Sequence, residues 1–254
     1  MIPMDSITSG DKSDHAEMAK QLVRSASCTV AVPNYRLSPR IPTAADFLHH
    51  PAHAEDVLAS LNFLLHWSPS TSDEILPPYD RSKLVLVGHS CGAHILTTIF
   101  LQAPPGTITD SHHRFNVTAD EELVKSIRGI VLVEGIYDID LLLSTFPSYR
   151  DFIEGAFSPL PSFTSVSTSS YNHLPKSERI SWKVVQSAGD TLIDVGQADT
   201  MYRALQGASL NQRVSKDYTS ITEDHDALLL SPPFIMLLST FVVDVAGTKV
   251  ASVV

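Results

Sequence analysis

The sequence predicts an α/β domain built on a mostly parallel sheet flanked by helices. Three observations carry this reading. Short apolar runs that read as strands alternate with longer segments of helical periodicity. Gly88-His89-Ser90-Cys91-Gly92, a G-x-S-x-G motif, sits between the apolar run Leu84–Val87 and a helical apolar pattern. The residues with the strongest chemistry fall just after strand-like runs, where open α/β sheets gather their ligands. A length of 254 residues suits one such domain with a sizeable core.

Composition narrows the function classes. The formal net charge of −10 argues against a nucleic acid or an anionic membrane as partner. There are two cysteines, Cys28 at a strand start and Cys91 inside the motif, so no disulfide and a reducing, cytoplasmic setting are expected. No basic and apolar signal pattern opens the chain. The longest apolar stretch, Phe234–Val245, is interrupted by Ser239, Thr240 and Asp244 and is too short to span a bilayer. Asn116-Val117-Thr118 is a glycosylation sequon, which carries little weight without a secretion signal.

In chain order, Asp14 and Glu17 resemble a capping box, and Ala19, Leu22 and Val23 give a helical face over Ser13–Ala26. Cys28–Val32 reads as a short buried strand stopped by Pro33, and Asn34–Pro39 as a loop. Pro51 opens a helix with Val57, Leu58, Leu61 and Leu65 on its inner face. Ser68–Pro78 is a polar surface loop, followed by the strand and helix of the G-x-S-x-G motif. Residues 104–122 and 141–181 read as cap-like insertions within a single domain, the second broken by Pro147, Pro159, Pro161 and Pro175. Ile130–Val133, Val184–Ser187 and Arg213–Tyr218 are the remaining strands, with a helix opened by Asp194 and Gln197 and ending near Gly207. Ser231 caps the final helix, Pro232 takes its first position, and Phe234, Leu237, Leu238, Phe241, Val242 and Val245 form its apolar stripe.

The strand–turn–helix setting makes Ser90 a candidate nucleophile: a sharp turn exposes its hydroxyl, and the Cys91 amide at the helix start faces a developing oxyanion. A serine hydroxyl needs a general base within hydrogen-bond reach. His225, in a polar loop after the last strand, is the best candidate, since the order Ser, then Asp or Glu, then His matches such elbow folds. His89 is too local to be the base and reads as shaping the turn. Asp190, in a Gly-Asp turn after the preceding strand, is the chosen acid. Asp194 reads as a helix cap because Gln197 follows three residues on, and Asp138 is the runner-up. His49, His50 and His53, like His112 and His113, lack a completing Cys or Glu, so neither group is assigned a metal. No cofactor is expected.

Together Asn34–Pro39 (NYRLSP), His50–Val57 (HPAHAEDV), Gly88–His94 (GHSCGAH), Glu134–Asp138 (EGIYD) and Asp224–Leu229 (DHDALL) resemble fungal kynurenine formamidases. These are α/β-hydrolases related to hormone-sensitive-lipase-like esterases. The resemblance spans nearly the whole chain. NYRLSP and the elbow are shared with many esterases, whereas HPAHAEDV and EGIYD narrow it. It implies hydrolysis of N-formyl-L-kynurenine to L-kynurenine and formate, with a small aryl formamide as the substrate. The family's nucleophile, acid and base fall on Ser90, Asp190 and His225.

One departure matters. The family carries His-Gly-Gly-x-Trp on a strand upstream of NYRLSP, and its glycine amides supply part of the oxyanion hole. No His-Gly-Gly occurs in these 254 residues, which implies an N-terminally shortened version of the fold. A gap should open at the centre of the sheet, or Cys28–Val32 should pair with the elbow strand. An open edge there invites association, of which a homodimer is the simplest form. Two alternatives stay open: a general short-chain carboxylesterase using the same triad, and a catalytically impaired binding protein of this fold.

Overall fold

The structure is a computed structural model, described here for residues 10–39, 48–68, 77–105, 117–207 and 213–247. Its helices and strands are α1 (Ala16–Ala26), α2 (Ala52–His66), β1 (Leu84–His89), α3 (Cys91–Phe100), β2 (Leu101–Gln102), α4 (Glu121–Ser126), β3 (Ile127–Val133), α5 (Ile139–Thr145), α6 (Arg150–Phe157), β4 (Asn172–His173), β5 (Ser181–Val185), α7 (Val195–Gly207), β6 (Arg213–Asp217) and α8 (Pro232–Ala246). The main sheet has the order β1-β3-β5-β6, and its strands pair in parallel. A short antiparallel pair joins β2 to β4.

Parallel pairing buries both faces of the sheet, and the sequence of β3 shows why it can be apolar throughout. Successive side chains alternate sides. Ile130 and Leu132 enter a core with Leu96, Ile99 and Trp182, while Val131 and Val133 meet Met18, Leu22, Phe234 and Leu238 from α1 and α8. Gly129 lets α8 come close: a Cβ there would stand 2.6 Å from the Phe241 ring. The stripe read in α8 is the one that packs, with Phe234, Leu238 and Phe241 buried. Burying each such side chain contributes roughly 1.5–3 kcal/mol. Ser231 caps the helix by accepting from the Phe234 amide.

Two early motifs are bound to each other. Arg36 of NYRLSP holds Asp56 on α2 with two parallel bonds of 2.8 Å, and its amide donates to the same carboxylate at 2.9 Å. The N-terminal capping box is formed by Asp11 and Asp14 on the 3-10 turn before α1, rather than by Asp14 and Glu17. Asp11 is within reach of the Ser13 amide, and Asp14 reaches back to the Asp11 amide.

Cys28–Val32 does not form a strand. Among the described residues, nothing pairs with the side of β1 turned away from β3. A cavity of about 600 Å³ separates the segment from β1, lined by Cys28, Val30, Leu61, Leu84, Leu86 and Leu238. The cavity keeps the segment out of ladder distance of β1. Among the described residues neither expected outcome is seen: β1 is the edge of the four-stranded sheet, with neither a central gap between two strands nor a pairing with Cys28–Val32. His112, His113 and much of the 104–122 insertion lie outside the described residues.

Candidate active site

The sharp turn between β1 and α3 falls on Ser90, whose φ of 51° and ψ of −121° a non-glycine residue rarely adopts. The turn demands close packing: a Cβ on Gly88 would lie 2.5 Å from the Gly92 carbonyl oxygen. The Ser90 amide donates to the Val133 carbonyl on β3 at 2.8 Å, which carries the ladder one residue past β1. Cys91 is the first residue of α3, so its amide stands at the helix's positive end.

The loops after β5 and β6 are joined. The Ala188 amide donates to the Ile221 carbonyl at 3.0 Å, and the Ser187 hydroxyl donates to the Glu223 carbonyl. Gly189 is packed so closely that a Cβ would collide with the Thr222 carbonyl. This fastening brings Asp190 to His225, with Nδ1 to Oδ2 at 3.0 Å. The other Asp190 oxygen accepts the Leu192 and Ile193 amides at 2.8 and 3.0 Å. Burial pushes the Asp190 carboxyl up, but the bond from His225 and these amides prevail and hold it below its ordinary range.

A second carboxylate, which the residue reading did not assign, meets the same imidazole. Glu134 follows β3 with a φ of 47° and is fully buried. Its Oε2 lies 3.2 Å from His225 Nδ1 and 3.3 Å from His89 Nε2, and its Oε1 accepts the Ser187 amide at 3.1 Å. His89 Nε2 also donates to the His225 carbonyl at 3.0 Å. Burial lowers the His225 imidazole, but its bonds to Asp190 and Glu134 prevail and push it up to about 10. The sequence did hold a cue. Glu134 is a single acid closing the apolar run Ile130–Val133, and a carboxylate at a buried strand end needs partners.

His89, Glu134 and His225 present ligand atoms within 4.8 Å of one another, as a metal site would. Hydrogen bonding accounts for the group, because a nitrogen that donates to a carbonyl has no lone pair to offer. Among the described residues, no hydrogen bond joins the Ser90 hydroxyl to His225. Catalytic contacts of this kind commonly tighten only with substrate bound.

The competing residues have other partners. Asp138 caps α5 by accepting the Leu141 amide at 3.0 Å. Asp194 accepts the Gly196 amide at 2.7 Å. Gln197 does not complete a capping box. Its oxygen accepts the Tyr137 and Asp138 amides at 2.8 and 2.9 Å, and its nitrogen donates to the Asp138 carbonyl at 2.8 Å. His49 bonds the Ser158 hydroxyl at 2.5 Å, His53 bonds Ser38 at 3.1 Å, and the His50 ring packs on His94 and Phe157. This cluster fastens the entry to α2 against α6.

The alpha/beta hydrolase fold family matches residues 6–217. The chain belongs to that family. Among curated relatives of this α/β hydrolase is a kynurenine formamidase from Meyerozyma guilliermondii, 29% identical over 182 residues, covering 70% of this chain and 59% of that protein. The chain thus spans less than two thirds of that relative's length. Kynurenine formamidases from Scheffersomyces stipitis and Eremothecium gossypii are 25% and 27% identical, covering 76% and 83% of this chain and 71% and 79% of theirs. Solved structures agree on the α/β-hydrolase fold. A truncated carbohydrate esterase from gut microbiota superposes with a TM-score of 0.69 at 14% identity, over 97% of this chain and 85% of that one. Carboxyl esterase 2 from Tuber melanosporum gives 0.63 at 14%, over 96% and 77%. Among the described residues, no helix is long and apolar enough to cross a membrane.

Proposed function

We propose that this α/β hydrolase cleaves N-formyl-L-kynurenine to L-kynurenine and formate. Ser90 is the nucleophile, His225 the general base, Asp190 its orienting acid and the Cys91 amide an oxyanion donor. The observation that carries the reading is the buried Asp190–His225 pair of 3.0 Å beside a strained elbow serine, in a chain whose curated relatives are named kynurenine formamidases.

With Nδ1 donating toward carboxylate, the neutral imidazole carries its lone pair on Nε2. Nε2 takes the Ser90 proton as Oγ attacks the formyl carbon, and the oxyanion forms opposite the Cys91 amide. The carbon–nitrogen bond then breaks, and the imidazolium gives its proton to the departing arylamine. Water, deprotonated by the same nitrogen, attacks the formyl ester and releases formate and the serine. Phe157 and Phe163 belong to the core, whereas Phe146 and Tyr149 are partly buried and stack at 5.2 Å. The Tyr149 hydroxyl donates to the Leu192 carbonyl, two residues from Asp190. That stacked pair suits the wall of an aryl pocket. We place the protein in the reducing cytoplasm, the setting that a two-cysteine composition favours.

The test is turnover of N-formylkynurenine by the wild type and by Ser90→Ala, with p-nitrophenyl acetate alongside. The formamide should be preferred and Ser90→Ala inactive on both. Equal rates for the two proteins would sink the nucleophile, and a strong preference for the ester would make this a carboxylesterase.

A further inference from the structure

We propose that Glu134 is a positioning residue of the same site: its buried carboxylate is a second acceptor for the Nδ1–H of His225, so two acids rather than one orient the base. The proposal rests on the hydrolase reading above.

Topology puts Glu134 where it can do this. β3 lies between β1 and β5 in the sheet, so the end of β3 stands between the Ser90 turn and the Asp190 loop. Backbone bonds fix it on both sides: the Ser90 amide donates to Val133, and the Glu134 amide donates to Val185 at 2.9 Å. The chain adopts a φ of 47° at Glu134 itself, although Gly135 follows and would take that conformation without strain. Strain of about 1–3 kcal/mol of this kind persists only where the surroundings over-determine it. Here it aims a carboxylate at His225. A lone buried carboxylate is costly, and the groups that meet this one are His225, His89 and the Ser187 amide.

The charged and titratable groups around the imidazole come from every neighbouring loop. Asp190 and Glu134 meet Nδ1, the His89 ring lies 4.5 Å from the His225 ring, and Asp224 accepts the His225 amide at 2.9 Å. Two carboxylates at one nitrogen favour the imidazolium. They stabilise it as it forms and delay its deprotonation. A purely structural Glu134, tying the Ser187 amide to His89, would leave the pH behaviour of the base unchanged.

The experiment is fluorophosphonate labelling of Ser90 as a function of pH, in wild type, Glu134→Gln, Glu134→Asp and Asp190→Asn. Glu134→Gln should move the midpoint of the acid limb down by about one unit or more, the size of effect one adjacent opposite charge has. Glu134→Asp keeps the charge and should hold the midpoint nearer the wild type. Asp190→Asn should lose only about a hundredfold, rather than the ~10⁴ that follows loss of a sole orienting acid. If Glu134→Gln fails to fold, Asp190→Asn decides: a loss of ~10⁴ with the midpoint at an ordinary histidine value overturns the proposal. Labelling whose pH profile is the same in wild type and Glu134→Gln also overturns it while leaving the hydrolase reading intact. Absence of labelling at any pH overturns both, and the wild type alone shows that.

Discussion

His89 and His225 are joined across the site by a hydrogen bond from the His89 ring to the His225 backbone carbonyl, 3.0 Å long. A carbonyl only accepts, so the Nε2 of His89 carries the proton. His89, beside Ser90, therefore ties down the loop that carries His225. His89→Ala removes this tie and one partner of Glu134. Stability should fall by about 1–3 kcal/mol, the cost of buried polar groups left unpaired. If His225 is the base as proposed, its misplacement should lower kcat by about ten- to a hundredfold. His89→Gln, with a nitrogen at comparable reach, should recover part of both. Thermal unfolding and steady-state kinetics of the two variants check this.

Gln197 is fully buried and holds the loop after β3 by three bonds to Tyr137 and Asp138. Gln197→Ala leaves two amides without acceptors, and a loss of roughly 2–4 kcal/mol is expected. Denaturant unfolding measures it directly.

The sequence reading made Asp194 a cap, and Asp194 does accept the Gly196 amide; Gln197, read as the local signal for that cap, has its partners about sixty positions away. The same limit explains Glu134: spacing can nominate an acid for a histidine, but only the sheet brings a third strand end beneath it. The elbow was legible because its constraints are local, namely two glycines, an apolar strand and a helix. The strands β3, β5 and β6 were legible from short apolar or alternating runs. Cys28–Val32 has the same composition as a strand but does not pair with β1. Strand character there depends on a partner, which composition does not report.

Stability should peak near the ordinary histidine pKa of 6.5. Burial lowers His53 and His94 to about 4, so both are neutral in the fold and charge on unfolding. Their contribution is present above pH 6.5 and is lost as pH falls toward 4. His225 is raised to about 10, so its contribution is full below pH 6.5 and is lost as pH rises through 10. Melting temperatures from pH 4 to 10 should trace both limbs. His225→Gln should flatten the alkaline limb and His53→Gln the acid one. An unchanged alkaline limb in His225→Gln would contradict the charge assignment at Nδ1.

Among the described residues, β1 is paired along one flank only, and its amides should exchange with solvent unevenly. Amides alternate sides along a strand, so every second one in Leu84–Gly88 points toward β3 and the others toward the cavity. The first set should exchange deuterium only on global opening, and the second set orders of magnitude faster, giving the strand a two-residue rhythm of protection. The strand that leads to Ser90 is thus held like a shelf fixed along one edge, and β3, which pairs with it and accepts the Ser90 amide, is that edge.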